Sequence, residues 1–265
     1  MAETPTPQLP DDVLTFDSGG RMPLLGFGTW QIKGEEAVSA TAAALEAGYR
    51  HLDTATVYGN EAEVGRALAE SGVERSEVFL TTKCPPNRAG RERETLEQSL
   101  SMLGTDRVDL WLVHWPAEGS QTDIWRAFVE AREAGLARDI GVSNFDVQMI
   151  DDITDATGAA PAVNQIEWSP LLFDAKVLEE HRSRGVALEG YSALRGGTLE
   201  NATIVEIAER LGRTPAQVII RWHLQHGVVV IPKSRNADRI RSNADVGGFD
   251  LTEDDLSTLD GLGAG

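Results

Sequence analysis

The sequence contains a single cysteine, Cys84, among 265 residues. One cysteine cannot form an internal disulfide, which excludes both a disulfide-stabilised scaffold and redox chemistry through a dithiol. Basic residues are also scarce, since 24 Lys and Arg stand against 42 Asp and Glu and give a formal net charge of −18. A chain of this charge repels nucleic-acid phosphates and anionic lipid surfaces. We therefore expect neither a nucleic acid nor a membrane as a partner.

The sequence also lacks long apolar segments. Its opening stretch, MAETPTPQLPDD, has neither the basic nor the apolar region of a secretion signal, and no stretch approaches the apolar length that spans a bilayer. We therefore expect a cytoplasmic protein. No internal repeat, low-complexity tract or interdomain linker is present, and 265 residues suffice for one large core. The expectation is one domain over residues 1–265, acting as a monomer.

The apolar pattern predicts an N-terminal β-hairpin followed by alternating strands and helices. Apolar runs flank Asp17-Ser18-Gly19-Gly20, whose glycines allow the positive φ angles of a tight turn. Predicted strands follow at residues 26–30, 49–53, 78–83, 108–114, 139–142, 163–166, 186–191 and 228–231. Predicted helices lie at residues 35–47, 61–70, 91–103, 123–134, 147–156, 175–184, 203–211 and 215–225. This alternation predicts an α/β fold, a (β/α)8 TIM barrel rather than an open doubly wound sheet.

Polar residues capable of chemistry concentrate at the C-terminal ends of the predicted strands. They are Asp53, Lys83, His114, Ser143, Asn144, Gln165, Tyr191, Lys233 and Ser234. Active sites of (β/α)8 barrels lie at this end of the strands. One such residue alone is as often a surface group or part of a structural ion pair, but their number around one rim indicates a functional site.

Asp53, Tyr58, Lys83 and His114 have the residue types of a general acid for carbonyl reduction. A tyrosine gives up its proton poorly at neutral pH, and a nearby ammonium lowers its pKa by favouring the phenolate. Asp53 would hold the Lys83 ammonium and compensate its burial, while His114 would orient a substrate carbonyl. The alternative is structural: a buried Asp53–Lys83 ion pair, with Tyr58 packed on a loop and His114 in the core.

A second alternative is a metal-dependent hydrolase. In His51-Leu52-Asp53 both polar side chains point the same way along a strand, as ligand pairs do, and His114 with a modified Lys83 would complete a metal site. The remaining histidines lie in helical stretches away from the strand ends: His181, His223 and His226. We therefore favour the reductase interpretation and expect no metal.

The first predicted strand contains GFGTW at residues 26–30, which only superficially begins a dinucleotide-binding fingerprint. It lacks the third glycine and a following helix in register. Its plainer interpretation is a barrel strand whose end presents Trp30 to the cavity. Trp30 and Trp115 both lie at strand ends and offer large apolar surfaces, so they are expected to line a substrate pocket, with ordinary packing as the alternative.

The segment at residues 233–243 concentrates basic residues in an acidic chain. It contains Lys233, Arg235, Arg239 and Arg241. Cationic groups with hydroxyl and amide donors beside a helix N-terminus suit a phosphate monoester, and loops after strands seven and eight often bind phosphate in barrels. The alternative is a solvated helix face. We favour the phosphate site.

Eight stretches in this order carry a family resemblance: LLGFGTWQI, GYRHLDTATVYGNEAEVGRAL, VFLTTK, VDLWLVHWP, GLARDIGVSNF, PAVNQIEWSP, GYSAL and TPAQVIIRWHLQHGVVVIPKS. They resemble the aldo-keto reductase superfamily, in particular the bacterial branch that includes 2,5-diketo-D-gluconate reductases. The resemblance implies one barrel domain that reduces aldehydes or ketones to alcohols with NADPH. The implied substrate is a sugar-derived or other small dicarbonyl compound.

The resemblance also implies a role for each candidate residue. Tyr58 would protonate the nascent alkoxide, assisted by Asp53, Lys83 and His114. The residues implied on the nicotinamide are Ser143, Asn144 and Gln165 at its carboxamide and Tyr191 stacked on its ring, with Ser192 and Leu194 as further cofactor contacts. The residues implied on the adenosine 2′-phosphate, and hence in the choice of NADPH over NADH, are Lys233, Ser234, Arg239 and Asn243.

The chain departs from the family pattern in three places. Residues 84–87 read CPPN where an aromatic-containing segment is common, residues 192–197 read SALRGG in place of the usual proline and glycines, and the long C-terminal tail of many relatives is lacking. We expect a relatively open pocket of broad specificity. A further alternative is a cofactor-sensing binding protein, since some relatives serve as channel subunits, but the complete catalytic set favours an enzyme.

Overall fold

The structure, a computed structural model, describes residues 6–117, 119 and 121–264. It begins with the predicted hairpin, in which β1 (Val13–Thr15) and β2 (Arg21–Pro23) pair antiparallel. The turn between them places Gly19 at φ 80°, a left-handed angle that glycine adopts without steric cost. Ser18 Oγ in this turn donates to Asp139 Oδ2 at 2.9 Å, which fastens the hairpin to the barrel.

Within the described residues, eight further strands form one parallel sheet. They are β3 (Phe27–Gly28), β4 (His51–Asp53), β5 (Phe79–Cys84), β6 (Val108–Val113), β7 (Ala137–Ser143), β8 (Val163–Glu167), β9 (Ala187–Tyr191) and β10 (Val229–Val230). Each pairs with the next along the chain. The sheet closes because Leu25 bridges Val230 in parallel and the Gly26 N–H donates to Val230 O at 2.9 Å. The predicted (β/α)8 barrel with an N-terminal hairpin is therefore confirmed.

Helices connect the strands and surround the barrel. They are α1 (Glu35–Glu46), α2 (Glu61–Glu70), α3 (Glu92–Leu103), α4 (Gln121–Glu133), α5 (Val147–Thr157), α6 (Ala175–Arg182), α7 (Ala202–Leu211), α8 (Pro215–Gln225), α9 (Ala237–Ala244) and α10 (Glu253–Asp260). Among the described residues, no helix combines the length and the apolar character that crossing a bilayer requires.

Helix α8 shows how local sequence sets an element's ends. Its N-cap Thr214 accepts from the Gln217 N–H at 3.2 Å, and the Gln217 side chain accepts from the Thr214 N–H at 2.9 Å. This reciprocal capping box satisfies two amides that lack a partner within the helix. Pro215 occupies the first helical position, where a missing N–H costs nothing. The predicted bounds, 215–225, match the structure.

The secondary structure differs from the prediction most clearly at the first strand and at the last helix. The first barrel strand, predicted at 26–30, spans only Phe27–Gly28, because a turn begins at once: the Ile32 N–H donates to Thr29 O at 3.2 Å, and Gln31 has φ 61°. Trp30 therefore lies in this turn, not in a strand. Helix α10 was not predicted, although Thr252 and Asp255 form a capping box at its start.

Apolar packing between the sheet and the helices holds the barrel rigid around its cavity. Trp111 of β6 stacks on Phe128 of α4 with ring centroids 3.7 Å apart and an interplanar angle of 9°. Trp125 packs beside the same phenylalanine and donates its indole N–H to Ala159 O at 2.8 Å. Burying an aromatic side chain of this kind contributes about 1.5–3 kcal/mol. Packing of this kind between β6 and α4 holds in place the strand whose C-terminal end precedes His114.

Candidate active site

A cavity of about 650 Å³ opens at the C-terminal ends of the barrel strands. The predicted site residues that line it are Trp30, Asp53, Tyr58, His114, Trp115, Ser143, Asn144, Gln165, Tyr191, Ser192, Leu194 and Lys233. The remaining predicted residues lie outside this lining: Lys83 beneath its floor, and Ser234, Arg239 and Asn243 on the segment after β10. The polar residues of many strands therefore converge on one space.

The floor of the cavity holds a buried ion pair. Lys83 Nζ donates to Asp53 Oδ1 at 2.6 Å and Oδ2 at 2.8 Å, and to Thr54 O at 2.9 Å. Tyr58 Oη lies 3.4 Å from the same nitrogen. Both members of the ion pair are buried, whereas the Tyr58 ring faces the cavity. The lysine ammonium is thus neutralised on one side and directed at a phenol on the other.

Asn60 fixes the turn that presents Tyr58. Its buried side chain accepts from Thr54 Oγ1 at 2.8 Å and donates to Thr29 O and Ile32 O, both at 2.9 Å. These bonds join the ends of β3 and β4 to the loop that carries the phenol. Sequence reasoning gave Asn60 no role, although it lies within the quoted YGNEAE stretch.

The expected lowering of the Tyr58 pKa is not observed. Burial raises the pKa of Tyr58, and this effect exceeds the opposing influence of the Lys83 ammonium. The expectation was wrong because sequence spacing identified the cation but not the desolvation of the phenol. The phenol is therefore protonated at neutral pH, and the Lys83 ammonium lies where it favours the phenolate form.

His114 lies against Tyr58, with the two ring centroids 5.7 Å apart and their planes at 74°. Burial first, and the Lys83 ammonium second, lower the pKa of His114 to about 3. The imidazole is consequently neutral at physiological pH, with an N–H available as a donor. A neutral donor beside a protonated phenol suits a carbonyl oxygen that must be oriented and then protonated.

A chain of amide and hydroxyl groups crosses the cavity wall. Tyr191 Oη donates to Asn144 Oδ1 at 2.8 Å, and Asn144 Nδ2 donates to Ser143 Oγ at 3.0 Å. Ser143 Oγ in turn donates to Gln165 O at 2.8 Å. Gln165 Nε2 donates to Asp53 Oδ2 at 2.9 Å, which links this wall to the ion pair.

Strained backbone angles are found in residues that line the cavity. Within the described residues, Gln31, Asn144 and Ser192 are the only non-glycine residues with positive φ, at 61°, 62° and 58° respectively. All three line the cavity. Such angles are costly and persist where surrounding structure imposes them, often at functional sites.

Positive charge gathers on the side of the cavity formed by the loops after β9 and β10. Burial first, then Arg235, Arg195 and Arg239, lower the pKa of Lys233, so these cations lie near one another. The Arg195 guanidinium lies 5.1 Å from the centre of the Trp30 ring. Sequence reasoning missed Arg195, whose SALRGG loop was noted only as a departure from the family. The arrangement favours an anionic ligand.

The predicted phosphate segment, residues 233–243, covers the turn before α9 and most of that helix. Asn236 caps this helix by accepting from the Arg239 N–H at 2.9 Å, and Ser234 Oγ accepts from the Asn236 N–H at 3.1 Å. Arg239 is exposed, whereas Ser234 and Asn243 are buried. A helix N-terminus flanked by arginines is a favourable environment for a phosphate.

His51, one of the two histidines of the alternative metal site, lies away from the cavity. His51 Nδ1 is 3.2 Å from Pro23 O, and its Nε2 is 3.7 Å from Glu189 Oε1, inside the barrel and outside the cavity lining. Across residues 6–117, 119 and 121–264, no group of three or more His, Cys, Asp or Glu side chains is arranged to hold a metal ion.

Comparison with known proteins places these features in a family. The Aldo/keto reductase family matches residues 24–264. An aldo-keto reductase of Mycolicibacterium vanbaalenii is 47% identical over 97% of this chain and 93% of its own length. The 2,5-diketo-D-gluconic acid reductase B of a Corynebacterium species is 45% identical over 91% of this chain and 89% of its own. The crystal structure of an aldo/keto reductase from Brucella melitensis superposes with a TM-score of 0.91 at 40% identity, covering 96% of this chain and all of that one.

Proposed function

This chain belongs to the aldo/keto reductase family, and from that premise we propose that it reduces aldehydes and ketones to alcohols with NADPH, using Tyr58 as the proton donor. Membership of the family makes it an oxidoreductase that acts on carbonyl groups. The observation that carries the finer proposal is the position of Lys83 Nζ, bonded to both Asp53 oxygens and 3.4 Å from Tyr58 Oη at the cavity floor.

Each residue of this group has a distinct task. Tyr58 donates its proton to the carbonyl oxygen as negative charge develops there. Lys83 stabilises the phenolate that remains, and the Asp53 carboxylate keeps the ammonium charged and in place. His114 donates a hydrogen bond that orients the substrate oxygen toward the Tyr58 hydroxyl. The alternative of a purely structural ion pair does not explain why the phenol borders an open cavity.

Because His114 is neutral, we expect the rate of reduction to stay constant on the acid side of its pH profile. We expect kcat/KM for reduction to vary little between about pH 5 and 8, because a histidine whose pKa lies at about 3 does not titrate in that range. The pH dependence of carbonyl reduction measures this directly. A loss of activity with a midpoint near that of a free histidine, about pH 6.5, that disappears in His114→Gln would contradict the assignment.

The cavity residues fit NADPH. Bound NADPH would supply the hydride that carbonyl reduction requires. Ser143, Asn144 and Gln165 offer hydroxyl and amide groups to the nicotinamide carboxamide, and the half-buried Tyr191 offers a ring face for stacking. Ser192 and Leu194 border the same space. The residues proposed for the adenosine 2′-phosphate are Lys233, Ser234, Arg239 and Asn243.

The cofactor choice is tested at Arg239. Arg239→Ala is expected to raise KM for NADPH by about 10- to 100-fold, because losing one hydrogen bond to a charged group weakens binding by about this factor. KM for NADH should change little, because NADH lacks the 2′-phosphate. Arg93→Ala, at an exposed arginine paired with Glu97 on α3, is the control and should leave both constants near wild type. Equal losses for both cofactors in Arg239→Ala would remove the basis for NADPH selectivity.

The mouth of the cavity supports a proposal for the substrate class. Trp30 and Trp115 are 40% and 49% exposed there, beside the exposed Val57. Apolar walls around a polar floor suit a small carbonyl compound, and one relative is a 2,5-diketo-D-gluconic acid reductase. We therefore propose a sugar-derived or other small dicarbonyl substrate.

A panel of aldehydes, α-ketoesters and diketones, followed by NADPH absorbance, tests both the reaction and the substrate class. Turnover of several members, with preference for dicarbonyls, is expected. Cofactor binding with no turnover of any member would instead favour a cofactor-sensing protein. We further propose that residues 1–265 form one domain that acts as a cytoplasmic monomer, and the single family match over residues 24–264 supports the one-domain part of this proposal.

A further inference from the structure

A buried carboxyl group that carbonyl reduction does not use lies inside the barrel. Glu189 of β9 has no exposed surface, and within the described residues neither of its carboxyl oxygens has a hydrogen-bond partner. Its register neighbours are Gln165 of β8, whose amide donates to Asp53, and the apolar Val229 of β10. Buried polar groups are nearly always paired, so an isolated carboxyl requires an explanation.

The nearest cation, the Lys83 ammonium, has no free N–H donor for Glu189. An ammonium has three N–H donors, and those of Lys83 are already shared among both Asp53 oxygens, Thr54 O and Tyr58 Oη at 2.6–3.4 Å. A carboxylate at Glu189 would therefore be a second negative charge beside Asp53. The Gln165 amide, which already donates to Asp53 Oδ2, favours that charge less than burial and Asp53 disfavour it. Such a charge is strongly disfavoured in the barrel interior.

His51 offers Glu189 an acceptor rather than a donor. Its Nδ1 lies 3.2 Å from Pro23 O and must carry the proton there, because a carbonyl oxygen only accepts. Burial lowers the pKa of His51 to about 4, so the ring is neutral and its Nε2 carries no proton, with the Thr81 hydroxyl 3.4 Å away. That nitrogen lies 3.7 Å from Glu189 Oε1. The O–H of a protonated carboxyl is attracted to it, whereas a carboxylate is repelled.

We propose that Glu189 is a positioning residue held as a neutral acid facing His51, so that Asp53 is the sole carboxylate beneath Lys83 and the ammonium field acts on Tyr58. This rests on the proposed function of Tyr58. The titratable groups that face Glu189 among the described residues are His51 and Asp53 of β4, Lys83 of β5 and Tyr58 on the following loop.

The electrostatics of these groups agree with that arrangement. Burial first, and the Asp53 carboxylate second, raise the pKa of Glu189 to about 8, against the smaller opposing effects of the Gln165 amide and the Lys83 ammonium. When pH rises through this value, Glu189 gains a charge that disfavours the Tyr58 phenolate and raises the pKa of Tyr58 further. The acid form of Tyr58 thus persists to higher pH in the wild type than in a variant where this charge cannot form.

Infrared spectroscopy tests the protonation state without any reference to activity. The wild type minus Glu189→Gln difference spectrum at about pH 7 should contain the carbonyl stretch of one protonated carboxylic acid, and the band should vanish when pH is raised by about two units. Carboxylate bands at neutral pH would overturn the proposal. If the variant does not fold, the wild type alone serves, since it must lose protonated-carboxyl intensity over the same interval, and no loss would contradict the proposal.

The pH profile tests the positioning role. At neutral pH, kcat/KM of Glu189→Gln should lie within about twofold of wild type, because glutamine copies the neutral acid. Its alkaline loss of reduction should have a midpoint about half to one pH unit below that of the wild type. Asp139→Asn, at a buried acid bonded to Ser18 of the hairpin, is the control and should leave the alkaline limb unmoved.

The outcomes separate the two proposals. Identical alkaline limbs in the wild type and Glu189→Gln would overturn the positioning role even if the infrared band is present. An equal shift in Asp139→Asn would also overturn it, because the effect would not be specific to this position. Absence of reductase activity in the wild type would reject the proposed function, while the infrared result would still decide whether Glu189 is a neutral acid.

Discussion

Tyr58→Phe is expected to lower kcat for carbonyl reduction by about 10²- to 10⁴-fold, the usual contribution of a positioned general acid. The substitution removes one hydroxyl and keeps the ring, which packs edge-on against His114 at 5.7 Å. The ion pair below it is retained, because Lys83 keeps its bonds to Asp53 and Thr54. NADPH should therefore bind with near wild-type affinity, measured by fluorescence titration.

Tyr49→Phe provides the matched control for this experiment. Tyr49 is buried, and its hydroxyl lies 3.3 Å from Ile240 O, outside the cavity lining. Its loss should affect stability slightly and turnover very little. Near-normal turnover in Tyr58→Phe, or an equal loss in Tyr49→Phe, would refute Tyr58 as the proton donor.

Lys83→Met is expected to abolish turnover and to destabilise the fold. Removal of the ammonium leaves the Asp53 carboxylate buried without its charge partner, and breaking a buried pair in this way costs roughly 3–5 kcal/mol in the free energy of unfolding. Tyr58 also loses the cation that stabilises its phenolate. Denaturant unfolding and NADPH consumption measure the two effects separately.

The double variant Asp53→Asn/Lys83→Met distinguishes charge from packing. With both charges gone, most of the lost stability should return, because no unpaired carboxylate remains. Activity should stay absent, since the phenolate still lacks its cation. If the double variant is as unstable as Lys83→Met, the loss reflects a packing defect rather than an uncompensated charge.

Local sequence signals predicted much of the fold. The bounds of α2 and α8 were predicted correctly, because amphipathic spacing marks both helices and a capping box marks the start of α8. The order of the strands followed from strict alternation with helices. The first strand was overestimated because its pairing ends in a turn at Gln31, whose positive φ no local pattern announces.

The sequence identified the residues of the candidate site but not the pKa values that the fold gives them. Lys83 and Asp53 are thirty positions apart, yet the convergence of strand ends in a barrel was enough to bring them together. The raised pKa of Tyr58 depends on burial by surrounding loops, which residue types do not reveal. The facing pair of Glu189 and His51 exists because the sheet closes, so no spacing within one segment indicates it.

The most direct measurement is a crystal structure of the protein with NADPH and an unreactive carbonyl compound. We expect Tyr58 Oη at about 2.6–3.2 Å from the carbonyl oxygen, with Lys83 Nζ still bonded to Asp53 and adjacent to the phenol. A carbonyl oxygen whose hydrogen-bond donors do not include Tyr58 would contradict proton donation by this residue.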